Sequence, residues 1–209
     1  MLQFITHTNE RYSYPASAEV ALKGGCRWIQ LRMKEATDDE ILSTAHPLRQ
    51  LCDRYGATLI LDDKVHLVQV CRADGVHLGK SDMSPDEARK ILGENAIIGG
   101  TANTLDDIKR LVSLGVNYIG LGPFRFTHTK KNLSPVLGLD GYNDILRQCR
   151  AYGIKTPIVA IGGITIDDIP ALMQTGIAGI ALSGTILNAE NPITETKNIL
   201  NTINTIHYE

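Results

Sequence analysis

The sequence lacks an excess of charge of either sign. It carries 21 lysine and arginine residues against 23 aspartate and glutamate residues, which gives a net charge of −2 at pH 7. Proteins that bind nucleic acid or an acidic membrane surface electrostatically carry a surplus of basic residues. We therefore expect neither nucleic acid nor a membrane as a partner, and we expect a small-molecule ligand instead.

Paired cysteines are also missing. The four cysteines are scattered along the chain, with no CxxC spacing and no clustered histidines, which argues against a zinc site and a disulfide framework. They are Cys26, Cys52, Cys71 and Cys149. We expect reduced thiols packed in the interior.

We expect no basic and apolar leader, because a strand-like segment begins at Leu2. No apolar run approaches the ~18 residues that a membrane-spanning helix needs. We therefore expect a cytoplasmic protein.

Linkers, low-complexity tracts and charge runs are missing as well. Residues 1–209, of which 43% are hydrophobic, are therefore expected to form a single barrel domain. The oligomeric state stays open, and a homo-oligomer is one alternative.

What the sequence does contain is a regular alternation of β-rich and helical segments. The eight predicted strands are 3–6, 28–34, 58–62, 75–78, 96–100, 118–121, 157–161 and 179–182, each followed by apolar residues at helical spacing. Because there is no hairpin signal and parallel neighbours need a crossover helix, the pattern predicts an all-parallel sheet. Eight such units favour an α/β fold of the (β/α)8 TIM barrel type, with an open doubly wound sheet as the alternative.

Helix boundaries carry recognisable signals. Thr37 with Glu40 forms a predicted capping box, and Ser84 is followed by a proline at the first helical position. Glycines such as Gly56 and Gly153 mark predicted helix ends.

The second predicted strand carries a polar stripe. Alternation places Gln30, Arg32 and Lys34 on one face, with Leu31 and Met33 on the other. Neither face of a small barrel accommodates two cations unless an anion pairs with them. The alternative is that both cations reach the rim and are solvated there. We favour an anion site.

Acidic residues follow the third and fourth strands. Asp62 and Asp63 end one strand and Asp82 follows the next, and carboxylates on adjacent strand ends can share one Mg²⁺. Alternatively, these residues are helix caps, a role that Ser84 already fills after Asp82. His77, inside the fourth strand, is expected to be a packed, hydrogen-bonded structural residue.

Two further segments have anion-binding features. Gly163 and Ser183 follow the seventh and eighth strands, where barrels commonly bind phosphate. The segment 123–137 is the longest without a periodic pattern and carries Thr127, Thr129 and Lys130. No Ser-His-Asp order, paired glutamates or activated thiol is visible, so the inventory fits a reaction in which diphosphate leaves and its charge is neutralised.

Together these motifs resemble the thiamine-phosphate synthase family and its close relative, the thiazole tautomerase. The resemblance covers essentially the whole chain and is specific only as a set. The resemblance rests on residues 30–34, 62–63, 76–82, 99–104, 122–130 and 160–164 and on Ser183.

The resemblance implies a barrel enzyme, a transferase of thiamine biosynthesis, that joins hydroxymethylpyrimidine diphosphate to thiazole phosphate. It implies that diphosphate departs first and that the thiazole nitrogen captures the pyrimidine-methyl cation. By position, the pyrimidine diphosphate would be held by Gln30, Arg32, Lys34, Thr101 and Lys130, with Asp62 as a further substrate contact. Arg32, Lys34 and Lys130 would supply the catalytic charge, Asp63 and Asp82 would ligate Mg²⁺, and Thr127, Thr129, Gly163 and Ser183 would hold the thiazole phosphate.

Some positions depart from that family. Asp62 replaces a usual asparagine, Thr101 a usual serine and Asn103 a usual histidine, the segment 124–126 differs, and no helix precedes the first strand. The tautomerase carries a histidine where this chain has Pro123, and it tends to lose the Thr-x-Thr-Lys cluster and the acidic pair. The synthase is therefore favoured. A non-catalytic barrel that binds thiazole or phosphate as a regulator is the other alternative.

Overall fold

Eight parallel strands form a closed barrel in the computed structural model, which describes residues 1–126 and 135–206. The strands are β1 (Leu2–Ile5), β2 (Trp28–Leu31), β3 (Thr58–Asp62), β4 (Gly75–Leu78), β5 (Ile97–Ala102), β6 (Tyr118–Leu121), β7 (Ile158–Ile161) and β8 (Gly179–Leu182). Each strand pairs with the next along the chain, and β8 pairs with β1. The predicted (β/α)8 barrel is confirmed and the open sheet is excluded.

Helices connect the strands around the outside of the barrel. They are α1 (Tyr14–Lys23), α2 (Asp38–Tyr55), α3 (Pro85–Leu92), α4 (Leu105–Ser113), α5 (Gly138–Ala151), α6 (Ile169–Gln174), α7 (Gly184–Leu187) and α8 (Pro192–Ile206). The capping box before α2 is present, because the Glu40 amide donates to Thr37 Oγ1 and the Thr37 amide donates to Glu40 Oε2. Gly56 ends this helix at φ 60°, as predicted.

Three details of the predicted alternation are wrong. β2 ends at Leu31, three residues before the predicted boundary, because the Arg32 amide donates to the Thr6 hydroxyl instead of to a neighbouring strand. β5 continues to Ala102. The connection from β3 to β4, residues 63–74, contains a 3₁₀ turn at Val65–Leu67 in place of an α-helix; Asp63 and Arg72 near its two ends have positive φ values of 61° and 52°, which a right-handed helix does not allow.

The apolar core has two parts. The larger lies between the strands and the helices, and it includes all four cysteines, which are free and buried as expected. The smaller fills the barrel lumen with Ile5, Tyr118, Val159 and Ala181. Toward the carboxyl ends of the strands, polar side chains such as Gln30, Asp62 and Thr101 line part of the space above this plug.

In the ranges described, no helix has the length and apolar character required to cross a membrane.

Candidate active site

A cavity of about 530 Å³ opens at the carboxyl ends of the strands, and all eight strands or the segments after them contribute to its lining. Most of the predicted site residues that the structure describes line it. They are Gln30, Arg32, Lys34, Asp62, Thr101, Gly163 and Ser183. The barrel therefore brings residues from distant parts of the chain into one cavity, as barrel topology requires.

Lys34 lies among three carboxylates at one side of this cavity. Its Nζ atom is 2.8 Å from Asp63 Oδ2, 3.4 Å from Asp62 Oδ2 and 3.7 Å from Asp82 Oδ2. Burial by itself lowers the pKa of Lys34, but the three carboxylates outweigh it and the pKa is raised. Lys34 is therefore fully charged at neutral pH.

Asp62 is the most buried member of this cluster. Gln30 Nε2 donates to its Oδ1 at 2.8 Å, and Arg32 Nε lies 3.7 Å from its Oδ2. Its Oδ2 accepts no hydrogen bond within the described residues and has only the ionic contacts with Lys34 and Arg32. Desolvation raises the pKa of Asp62, and the two cations oppose that shift.

Asp63 and Asp82 are not helix caps. Ser84 occupies the N-cap of α3, and the residue before the 3₁₀ turn after β3 is Lys64. The Gly79 amide donates to Asp82 Oδ2 at 2.6 Å, which orients that carboxylate. Asp63 has a φ of 61°, an uncommon conformation for a residue other than glycine. Its carboxylate lies 2.8 Å from Lys34 Nζ.

The donor chemistry of this pair fits Mg²⁺. Among residues 1–126 and 135–206, no group of three or more histidine, cysteine or acidic side chains forms a protein-only metal site. Mg²⁺ commonly binds one or two carboxylates and completes its shell with water and substrate phosphate. Asp63 and Asp82 beside an open cavity would leave room for those further ligands.

The opposite side of the cavity is formed by the ends of β7 and β8. Gly162 and Gly163 have φ values of 99° and 67°, and a Cβ atom on Gly163 would lie 2.9 Å from the Phe126 carbonyl oxygen. Ser183 Oγ is buried there and has no hydrogen-bond partner in the described part of the chain. An unsatisfied hydroxyl at a cavity wall is well suited to bind a ligand oxygen.

Arg125 and Asp168 brace this side, and the sequence had indicated no role for either. Arg125 Nη1 donates to the Gly163 carbonyl at 2.8 Å, and the guanidinium meets both Asp168 carboxylate oxygens. The arginine lowers the pKa of Asp168 to about 2. Asp168 also accepts from the Thr165 amide at 2.8 Å, and this Thr-x-x-Asp spacing was its one sequence signal.

A chain of hydrogen-bonded side chains crosses the lumen at the floor of the cavity. His77 contacts Tyr118 OH through Nδ1 and Thr101 Oγ1 through Nε2, each at 3.0 Å, so the expected packed and hydrogen-bonded role is confirmed. Gln3 Nε2 donates to Tyr118 OH at 3.3 Å. Gln3 and Tyr118 had no site role in the sequence because both look like ordinary strand residues.

The segment after β6 contains three predicted site residues, Thr127, Thr129 and Lys130, which lie outside the described residues. The base of this segment is closed by two backbone hydrogen bonds, from the Leu137 amide to the Pro123 carbonyl at 2.9 Å and from the Gly138 amide to the Phe124 carbonyl at 3.0 Å. Asn103, which replaces a usual histidine, donates to the Gly122 carbonyl at the start of the segment.

Comparisons with known proteins agree on one family. Residues 2–186 match the model of the family described as thiamine monophosphate synthase. The chain is 62% identical to the thiamine-phosphate synthase of Phocaeicola vulgatus over 96% of each chain, and 60% identical to that of Bacteroides fragilis over 96% of this chain and 98% of the relative. The solved structure of thiamine phosphate pyrophosphorylase from Pyrococcus furiosus superimposes with a TM-score of 0.86 at 32% identity, over 98% of this chain and 96% of that one.

Proposed function

The chain belongs to the thiamine monophosphate synthase family, and we propose that it joins hydroxymethylpyrimidine diphosphate to thiazole phosphate, giving thiamine phosphate and diphosphate. The observation that carries this proposal is a single cavity with two different anion sites. Arg32 and Lys34 line one side, and Gly163 and Ser183 line the other. Two phosphorylated substrates could bind there together, which a transfer between them requires.

Arg32, Lys34, Gln30 and Thr101 bind the diphosphate in this proposal. Lys34 is a fixed cation beside the acidic cluster, and Arg32 presents a planar guanidinium suited to phosphate oxygens. Asp63 and Asp82 would hold Mg²⁺, which would supply positive charge against the departing diphosphate. Lys130 is the third cation that the family resemblance assigns to this group.

The reaction is dissociative, so charge stabilisation is the main task of the protein. The part of the cavity lining that the structure describes contains no cysteine, and His77 is engaged with Tyr118 and Thr101. Neither a nucleophile nor a general base is needed when diphosphate leaves first and the thiazole nitrogen then attacks the pyrimidine-methyl cation. The C–O bond to diphosphate breaks, and a C–N bond to the thiazole forms.

The thiazole phosphate binds at the ends of β7 and β8. Gly163 lines this side of the cavity, where its main-chain N–H supplies a donor to a phosphate oxygen, and Ser183 Oγ supplies another. Thr127 and Thr129 complete this site by the family resemblance.

We also propose a cytoplasmic location with no nucleic-acid or membrane partner. The near-neutral charge of −2 supports the absence of such partners.

The test is to incubate the protein with both substrates and Mg²⁺ and to measure diphosphate and thiamine phosphate together. We expect both products in equal amounts, and neither when one substrate is omitted. Arg32→Met should lower the rate, whereas Lys23→Met should not, because Lys23 pairs with Glu19 on the outer helix α1. No thiamine phosphate at any metal concentration would reject the proposal.

A further inference from the structure

One direction of the hydrogen bonds in the lumen gives Gln3, Tyr118 and His77 each an acceptor for the hydrogen at their contact. Gln3 Nε2 carries only donor hydrogens, so Tyr118 oxygen accepts at that contact. If Tyr118 gives its one hydrogen to His77 Nδ1, that hydrogen has an acceptor in the buried lumen. His77 then carries its own hydrogen on Nε2 and donates it to Thr101 Oγ1. The Thr101 hydroxyl hydrogen is left available for another acceptor.

Two glycines of the barrel strands leave room for the rings of Tyr118 and His77. A Cβ atom on Gly99 would collide with the Tyr118 ring, and one on Gly120 would lie 3.2 Å from His77 Cε1. The Trp28 ring packs edge-on against Tyr118 with centroids 4.7 Å apart. Burial raises the pKa of Tyr118, so the phenol keeps its proton at all ordinary pH values. The two rings therefore have little freedom to leave the chain.

Gln3, His77 and Thr101 line the cavity, whereas Tyr118 lies deeper, in the lumen plug. The hydrogen-bonded chain therefore links the Gln3 amide, through the Tyr118 and His77 rings, to the Thr101 hydroxyl at the cavity wall. In the opposite direction Thr101 would donate to His77 and face the cavity with lone pairs alone. Lone pairs repel an anion, and a hydrogen attracts it.

We propose that Gln3, Tyr118 and His77 are positioning residues that hold the Thr101 hydroxyl as a hydrogen-bond donor toward a diphosphate oxygen. This inference rests on the proposed function for the identity of the diphosphate ligand. The chain moves no proton in the reaction. It orients the hydrogen of the Thr101 hydroxyl, because Thr101 Oγ1 accepts from His77 and its own hydrogen then points elsewhere.

The first test measures the histidine tautomer directly. ¹⁵N NMR of protein labelled at histidine nitrogens should show His77 protonated on Nε2 and unprotonated on Nδ1, with the signal assigned by its loss in His77→Asn. A His77 protonated on Nδ1 alone, or on both nitrogens at neutral pH, would overturn the inference. This measurement needs neither substrate nor turnover.

The second test uses pyrophosphate with Mg²⁺ as the binding probe. Tyr118→Phe should weaken its binding about 3- to 10-fold, the range of one hydrogen bond, and raise the KM for the pyrimidine substrate with little change for thiazole phosphate. Tyr142→Phe is the matched control, since its buried hydroxyl donates to the Leu121 carbonyl outside the chain. The control should leave pyrophosphate binding unchanged.

A double-variant comparison separates positioning from general damage. Thr101→Val should weaken pyrophosphate binding, and adding Tyr118→Phe to it should weaken binding no further, because the chain then has nothing to orient. Additive losses would contradict the inference. If the tautomer and the coupling are as expected but the enzyme forms no thiamine phosphate, the proposed function fails alone. If turnover is normal and the tautomer is reversed, this inference fails alone.

Discussion

Arg125 and Asp168 form a two-point ion pair that joins the segment after β6 to the turn after β7. Nη1 lies 2.8 Å from Oδ2 and Nη2 lies 2.8 Å from Oδ1. The same guanidinium holds the Gly163 carbonyl, so it braces one wall of the proposed thiazole-phosphate site. Because half of the Arg125 side chain is exposed, the pair is expected to contribute more to the shape of this wall than to global stability.

Arg125→Met should therefore raise the KM for thiazole phosphate about 3- to 10-fold, because one charged hydrogen bond to the site wall is lost. The KM for the pyrimidine substrate should stay close to the wild-type value. Steady-state kinetics with each substrate varied in turn checks this. Arg147→Met is the control, since Arg147 forms an exposed pair with Asp144 on α5. Equal increases in both KM values would contradict the local role.

The depressed pKa of Asp168 predicts an acid-dependent loss of stability. The pKa is about 2 in the folded protein against an ordinary 3.8, so the ionised carboxylate stabilises the fold above about pH 4. That contribution disappears as the pH falls from about 4 to about 2. Because the pair is partly exposed, we expect about 1 kcal/mol. Chemical denaturation of wild type and Asp168→Asn should differ by that amount at pH 6 and converge near pH 2. A difference independent of pH would be evidence against this.

Gly163→Ala should damage the site through a close contact as well as through its backbone conformation. The new Cβ would lie 2.9 Å from the Phe126 carbonyl and 3.0 Å from Arg125 Cβ, at a φ of 67°. Gly153→Ala is a well-matched control, because Gly153 has the same φ and no atom within 4 Å of the new Cβ. Both variants should lose about 1 kcal/mol of stability from the strained φ. Only Gly163→Ala should raise the KM for thiazole phosphate, and similar KM values in both variants would argue against a phosphate site there.

Ser183→Ala should weaken ligand binding without lowering stability, unlike Gly163→Ala, which should affect both. Its Oγ is buried without a partner among the described residues, so removing it should not lower the free energy of unfolding. Binding of thiazole phosphate should weaken about 3- to 10-fold, as measured by calorimetry. Ser17→Ala is the control, because that buried hydroxyl donates to the Tyr14 carbonyl on α1 and is absent from the cavity wall. Unchanged affinity in Ser183→Ala would remove this residue from the site.

Asp63→Asn tests the proposed metal site while preserving the backbone. Asparagine tolerates the positive φ of Asp63, so the variant should fold, but it removes one of the two carboxylates. We expect a loss of about 100-fold or more in kcat and a much weaker response to added Mg²⁺. Asp53→Asn, which removes a carboxylate paired with Arg49 on α2, is the control. A full rate with normal Mg²⁺ dependence would exclude Asp63 from metal binding.

The sequence by itself determined the fold, since regular alternation without hairpins allows few arrangements and eight units suffice to close a barrel. It also determined which face of β2 is polar, because side chains alternate along any strand. Leu31 lies in the core and Gln30 lines the cavity, as predicted. Arg32 and Lys34 also line the cavity, although they follow the end of β2 at Leu31.

Only the tertiary structure decided which distant side chains meet. Gln3 reaches Tyr118 across 115 residues of sequence, and Arg125 reaches Asp168 across 43. Local patterns carry no information about such contacts, because they depend on the register and closure of the barrel, which bring strand ends from the whole chain to one rim. The hydrogen-bond direction toward Thr101 likewise arises only when a donor amide, two rings and a hydroxyl are held in one lumen.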